Sequence, residues 1–150
     1  MQTNRIAVRN FTIAAFLFGI AVGSLAVVIA DRAANAAAPA PTEHKGLGVE
    51  ALGQVSARSM QATLGLEGHK LQLRAISIAP GGQIAVHSHE NRPGLVKVID
   101  GEWVEGRQSG EATYSADQRV AIIEDENTVH WFFNRGNRPA TALVCDIVPE

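Results

Sequence analysis

The sequence contains only one cysteine and one tyrosine, which limits the chemistry it can support. Cys145 has no second thiol for an internal disulfide, and its place in the apolar run 141–148 predicts a buried, unreactive core residue. Tyr114 is expected at a junction between a turn and a strand. Since no Ser/His/Asp or Cys/His arrangement is present, hydrolysis by a nucleophilic triad is not expected.

The chain also lacks an excess of basic residues, because 13 lysines and arginines face 15 acids and the formal net charge is −2. Residues 1–38 hold Arg5, Arg9, Arg32 and Asp31, a net charge of +2, so the remaining residues carry −4. Proteins that neutralise nucleic-acid phosphates carry basic patches instead. No nucleic-acid partner is therefore expected.

Helical periodicity is missing after residue 62, and no internal repeat is present. The chain instead alternates short apolar runs with turn signals such as Pro80-Gly81-Gly82 and Asp100-Gly101. This pattern predicts an all-β sandwich or barrel. The predicted strands are Val49–Ser56, Leu71–Ile78, Ile84–His89, Leu95–Ile99, Glu102–Gly106, Val120–Ile123, Val129–Phe133 and Ala140–Val148.

Residues 11–30 form the one long uncharged segment, which is enough helix to cross a hydrocarbon layer of about 30 Å. Arg5 and Arg9 precede it, so residues 1–10 are expected in the cytoplasm and the rest on the outer, periplasmic side of the membrane. The segment is predicted to be a transmembrane anchor. The alternative is a signal peptide cleaved near Ala34-Asn35-Ala36, which would release the protein into the periplasm. An Ala/Pro tether, 31–45, then leads to the folded domain, 46–150.

The candidate site is at His87 and His89, because residues two apart on a strand project to the same face. Neutral imidazoles at this spacing are typical metal ligands, and His130, at the head of another strand, is the predicted third. The predicted metal is iron, with zinc, manganese, nickel or copper as alternatives. His44 and His69 are expected to be solvated.

These residues resemble two motifs of the cupin superfamily. Gly81, His87, His89 and Gly101 match the first motif, Gly-x5-His-x-His-x3–4-Glu-x6-Gly. His130 and Asn134 match the end of the second motif, Gly-x-x-His-x-x-x-Asn, with Asn127 in place of its glycine; asparagine tolerates the left-handed conformation expected there. The resemblance covers residues 46–148 and implies a cupin-type jelly-roll barrel, with the site inside it, and a possible homodimer formed through edge strands.

The chain departs from the first motif at Gly94, where most cupins place a metal-binding glutamate. Val96 and Val98 are expected to share the inward face with position 94, while Leu95, Lys97 and Ile99 point outward. Glu90 is expected to point away from the histidines. Glu102 and Glu124 are interpreted as exposed acids at strand ends, with a place beside the metal ligands as the alternative. The sequence thus predicts three histidines and no carboxylate.

Such a site is similar to that of thiol dioxygenases and diketone-cleaving dioxygenases, which bind iron through three imidazoles. The resemblance implies a metal-dependent enzyme with open positions for a small substrate and dioxygen. The alternative is a module that binds or senses a small molecule, with no metal and no turnover. Aromatic residues of the strands are interpreted as core, and Phe132, which shares parity with His130, is the favoured candidate if one of them lines a pocket. Arg74 and Arg92 are interpreted as solvated rather than as holding a substrate carboxylate.

Overall fold

The structure, a computed structural model, describes residues 38–150. The predicted membrane or signal segment, residues 11–30, lies outside this range, and within the range no helix is long and apolar enough to cross a membrane. The described chain is all-β apart from the short helix α1. Its elements are β1 (Lys45–Val55), α1 (Ala57–Leu64), β2 (His69–Ser88), β3 (Gly94–Asp100), β4 (Glu102–Arg107), β5 (Gly110–Ser115), β6 (Ile122–Glu124), β7 (Val129–Phe133) and β8 (Ala140–Pro149).

The strands pair antiparallel in the order β5-β4-β7-β2-β8-β3-β6, and β1 pairs with β2. This arrangement confirms the predicted jelly roll. β2 connects the two halves of the jelly roll. Its residues 69–78 pair with β1 and β8, and its residues 83–88 pair with β7.

The two strands predicted at 71–78 and 84–89 are one continuous strand, so the prediction of a turn between them is wrong. The register of β1 against β2 shifts at the intervening glycines. Gly81 has a φ of +67°, and a Cβ on Gly82 would lie 2.7 Å from the Lys45 carbonyl oxygen. These glycines therefore let β2 pass close to β1 without ending the strand.

Strand β5 was not predicted, and Tyr114 lies within it, opposite Trp103 of β4. β5 is the last strand of the sheet order and is mostly exposed. Since an exposed edge strand buries no continuous apolar face, its sequence shows no alternation that would reveal it.

The core lies on one face of each strand. In β3, Val96 and Val98 are buried, whereas Leu95 and Ile99 are exposed, as predicted. In β8 every second residue is buried, from Ala140 to Val148. Cys145 falls between these positions and is only partly buried, so the prediction of a fully buried thiol is wrong.

Helix α1 and the loop before β7 show how side chains end and connect elements. The Ser56 hydroxyl accepts a hydrogen bond from the Ser59 amide at the start of α1, and Gly65 ends the helix in the left-handed conformation.

Asn127, in the loop before β7, does not adopt the left-handed conformation, because every described residue with positive φ is a glycine. The backbone N–H of Asn127 instead donates to the Asp125 carboxylate, so the expected left-handed conformation of Asn127 is wrong.

Candidate metal centre

Three imidazoles meet inside the barrel, as the sequence predicts. His87 lies near the end of β2, and His89 follows the last residue of that strand. His130 on β7 pairs with His87. The ring centroids are 4.7 to 5.0 Å apart. His89 and His130 are fully buried.

Each imidazole is oriented by an acceptor at Nδ1. His87 Nδ1 donates to the Ala85 carbonyl at 2.8 Å, and His89 Nδ1 donates to the Arg92 carbonyl at 2.8 Å. His130 Nδ1 donates to Glu105 Oε1 at 2.6 Å. Because a neutral imidazole carries one proton, these bonds place the lone pair of each ring on Nε2, the arrangement seen in metal-binding histidines.

The fourth member of the cluster is Glu124, which the sequence analysis interpreted as an exposed acid. That interpretation is wrong, because Glu124 is 3% exposed and its Oε1 lies 3.4 Å from the Nε2 atoms of both His89 and His130. One ligand atom from each of His87, His89, His130 and Glu124 lies within 4.8 Å of the others. The predicted absence of a carboxylate is therefore also wrong.

The Glu124 side chain passes over Gly94, the position at which most cupins have the metal-binding glutamate of the first motif. β6 pairs with β3 so that Glu124 lies opposite Gly94. A Cβ on Gly94 would lie 2.7 Å from Glu124 Oε2, closer than real Cβ atoms approach. Gly94 therefore leaves the space that the Glu124 carboxylate fills.

The group fits a divalent metal on the evidence of its own atoms. The Nε2 atoms of His89 and His130 are 3.1 Å apart, so the two rings share either a proton, since the pKa of His130 is raised, or a metal ion. Glu124 Oε2 is buried and has no hydrogen-bond donor among the described residues. Three imidazoles and one carboxylate are a donor set that suits iron, manganese, nickel, copper or zinc.

The charges of the cluster differ from one imidazole to the next. Burial lowers the pKa of His87 to about 4, and burial also lowers the pKa of His89. Burial opposes the charge of His130 too, but its bond to Glu105 and the nearby Glu124 raise its pKa. Near neutral pH, His87 and His89 are therefore neutral and able to bind a metal.

Glu105 connects His130 to a cation on the same strand. Its carboxylate is 2% exposed and accepts from Arg107 Nε at 2.8 Å as well as from His130. Burial would raise the pKa of Glu105, but these two hydrogen bonds lower it. The ionised carboxylate thus fixes the ring orientation of His130, and sequence reasoning missed it because the contact depends on the pairing of β4 with β7.

A cavity of about 310 Å³ opens beside the imidazoles. Trp103 and Phe132 line it, and Phe132 is at the same time a buried core residue, so both interpretations of this side chain apply. Their rings are 5.1 Å apart, and burial of each side chain contributes roughly 1.5–3 kcal/mol of stability. His44, expected to be solvated, is exposed but lies at this cavity, where its Nδ1 accepts from the Ala85 amide at 3.0 Å.

Arg74 and Arg92 also line the cavity, so the interpretation of both as solvated arginines is wrong. They converge on Asp146, which is fully buried. Arg74 Nη2 donates to Asp146 Oδ2 at 2.8 Å, and Arg92 Nε lies 3.2 Å from the same oxygen. A buried carboxylate on β8 holds both guanidinium groups in place.

The remaining polar residues lie where the sequence places them. Glu90, Glu102 and Ser88 are exposed. Asn134 is buried, and its amide donates to the Ile78 and Arg138 carbonyls at 2.8 Å. This second-motif asparagine therefore joins the end of β7 to β2.

Residues 75–146 match the family model described as Cupin domain. The folded part of this chain is a cupin domain. Among curated proteins, none matches the sequence significantly.

Solved structures with this cupin fold share little sequence with the chain. The cupin domain of an XRE family transcriptional regulator from Enterobacter cloacae is 19% identical, with a TM-score of 0.51, over 71% of this chain and 100% of that one. A protein from Thermotoga maritima described as a predicted oxalate decarboxylase is 17% identical, with a TM-score of 0.54, over 73% and 94%. A cupin domain from Bordetella pertussis is 14% identical, with a TM-score of 0.50, over 71% and 98%. At these identities the likeness extends to the fold alone.

Proposed function

We propose that this cupin domain binds one divalent transition metal through His87, His89, His130 and Glu124 and acts on a small molecule in the adjoining cavity. The observation that carries the proposal is the convergence of four ligand atoms within 4.8 Å of one another. Since Nδ1 of every imidazole is bonded to an oxygen, all three Nε2 atoms can bind the metal once it displaces the proton shared by His89 and His130.

The chain's own residues prepare the site before any substrate arrives. Hydrogen bonds from His130 and Arg107 keep Glu105 ionised, and Glu105 holds His130 in one tautomer and one orientation. The apolar wall around Trp103 and Phe132 excludes water from the inner side of the cavity. A metal held by the three histidines and Glu124 would supply Lewis acidity beside the cavity.

The presence of Glu124 changes which reaction is favoured. The similarity to the three-histidine dioxygenases rested on a site without a carboxylate, and Glu124 lies within the ligand group. We therefore do not assign dioxygenase activity to the site, and its dioxygenase activity has to be measured. A binding or sensing module without metal is the competing function.

We also propose that the domain lies outside the cytoplasmic membrane. The support is the uncharged segment 11–30, preceded by Arg5 and Arg9. The domain is then anchored on the periplasmic side or, after cleavage near residue 36, free in the periplasm.

Metal analysis of the purified full-length protein tests the main proposal. We expect about one iron, manganese, nickel, copper or zinc ion per chain in the native protein, and a loss of most of it in His87→Gln and His130→Gln. His69→Gln is the matched control, because His69 bonds only to the Glu67 carbonyl at the start of β2, away from the cluster. A native protein without bound metal after reconstitution would overturn the proposal and favour the binding module. Oxygen consumption with cysteine and with a β-diketone then decides whether the metal supports dioxygenation.

A further inference from the structure

The cavity beside the candidate metal centre contains two guanidinium groups on one side and an apolar wall on the other. Arg74 and Arg92 come from different parts of the chain, β2 and the loop before β3. They share a single carboxylate oxygen, Asp146 Oδ2. Two cations on one anion leave this side of the cavity with a net positive charge.

Most donors of the two guanidinium groups remain available. An arginine has five N–H donors, and one well-aligned hydrogen bond, from Arg74 to Asp146, is formed in the pair. The Nε atoms of Arg74 and Arg92 are both buried without a well-aligned acceptor among the described residues. The donors open to a ligand in the cavity are therefore the terminal Nη groups that do not bond to Asp146.

The charges around the cavity favour an anion still more once the metal is counted. The two guanidinium charges are balanced by Asp146 and Glu124, so that a divalent cation held by the cluster leaves an uncompensated positive charge. His44, at the same cavity, accepts at Nδ1 and therefore presents an N–H at Nε2 when neutral. The two guanidinium groups, the His44 N–H and a bound metal all suit a negatively charged ligand, whereas Asp146 and Glu124 oppose it.

We propose that Arg74 and Arg92 form a subsite for the carboxylate of a small organic acid, whose short apolar part lies against Trp103, Phe132 and the aliphatic wall. The inference rests on the proposed function, since it names the substrate class of that same site. Guanidinium groups bind carboxylates through paired N–H donors, which gives both affinity and orientation. The volume of about 310 Å³ is at the low end for ligand cavities, so the acid is small.

An NMR titration of the full-length protein with ¹³C-labelled propionate, and with the uncharged propionamide as its counterpart, tests the subsite. Wild-type protein loaded with zinc is expected to bind propionate at least about tenfold more tightly than propionamide. Arg92→Gln is expected to weaken propionate binding about tenfold while the zinc content stays unchanged. Arg92→Lys keeps the charge without the paired donors, so its affinity for propionate is expected to lie between those of wild type and Arg92→Gln. This variant also tests the subsite if Arg92→Gln folds poorly.

Arg138→Gln is the matched control, because Arg138 pairs with Asp100 on the surface and is absent from the cavity lining. Equal binding of propionate and propionamide, or an equal loss in the Arg92 and Arg138 variants, would overturn the subsite. If the wild-type protein takes up no metal, the proposed function fails. The subsite is then tested separately, by comparing the propionate affinities of wild type and Arg92→Gln in the presence of a chelator; equal affinities would overturn it.

Discussion

The position of the Glu124 carboxylate requires a glycine at position 94, because the carboxylate fills the space that a side chain there would occupy. Three of the four cluster residues were predicted because His-x-His on a strand and a histidine in the second motif are visible in the sequence. Glu124 was not, because its role depends on the register of a three-residue strand against β3. The convergence of Arg74 and Arg92 on Asp146 escaped prediction for the same reason, since it requires the pairing of β2, β3 and β8.

The substitution Gly94→Ala tests this dependence at the level of one methyl group. The new Cβ would lie 2.7 Å from Glu124 Oε2 and 3.0 Å from Asp146 Cβ, so Glu124 must move. We expect a loss of roughly 1–3 kcal/mol in the free energy of unfolding, measured by urea denaturation, together with weaker metal binding. Gly53→Ala is the control, because a Cβ there has no neighbour within 4 Å. Unchanged metal affinity in Gly94→Ala would contradict the dependence.

The low pKa of His87 predicts how the metal-free protein responds to acid. Between pH 6.5 and about 4, unfolded His87 takes up a proton that the folded protein does not, so stability is lost as the pH falls through this range. The shift corresponds to at most about 3 kcal/mol, and the raised pKa of His130 opposes it. In chelator, His87→Gln should therefore lose less stability than wild type between pH 6.5 and 4, measured by urea denaturation at each pH. Parallel pH profiles would show that His87 is not the residue responsible.

At the scale of the strands, the apolar alternation identified β1, β3, β4, β7 and β8 but not the continuity of β2 or the presence of β5. Two glycines after a proline normally mark a turn, yet in β2 they permit close passage beside β1. Whether such glycines end a strand depends on what lies next to them. That neighbour is a residue far away in the sequence.

Asn134 joins two of these elements, since its buried amide bonds to the Ile78 and Arg138 carbonyls. Asn134→Ala leaves both carbonyls without that donor, and we expect a loss of about 2 kcal/mol in unfolding free energy. Asn137→Ala, at an exposed site in the same loop, should change stability little. The comparison is made by chemical denaturation followed by circular dichroism. Equal effects of the two substitutions would mean that the bonds of Asn134 do not hold β7 to β2.

For the whole molecule, the proposed location of the domain depends on residues 11–30 and on the arginines that precede them. If the segment is an anchor, the protein should remain in the membrane fraction after alkaline carbonate washing, and its intact mass should include the segment. Replacement of Gly19 and Val22 by arginine should release an anchored protein from that fraction. A mature mass lacking the first 36 to 38 residues would show that the segment is a cleaved signal, and the domain would then be free in the periplasm.

The central claim is that Glu124, reaching past Gly94, completes a metal site with three histidines. The most direct test is the metal affinity of full-length Glu124→Gln, measured by competition with a chromophoric chelator and compared with wild type. Glu102→Gln is the matched control, because Glu102 is an exposed acid at the start of β4. We predict that Glu124→Gln weakens metal binding by about 10- to 100-fold or more while Glu102→Gln leaves it unchanged. Wild-type affinity in Glu124→Gln would contradict the claim and restore the three-histidine site.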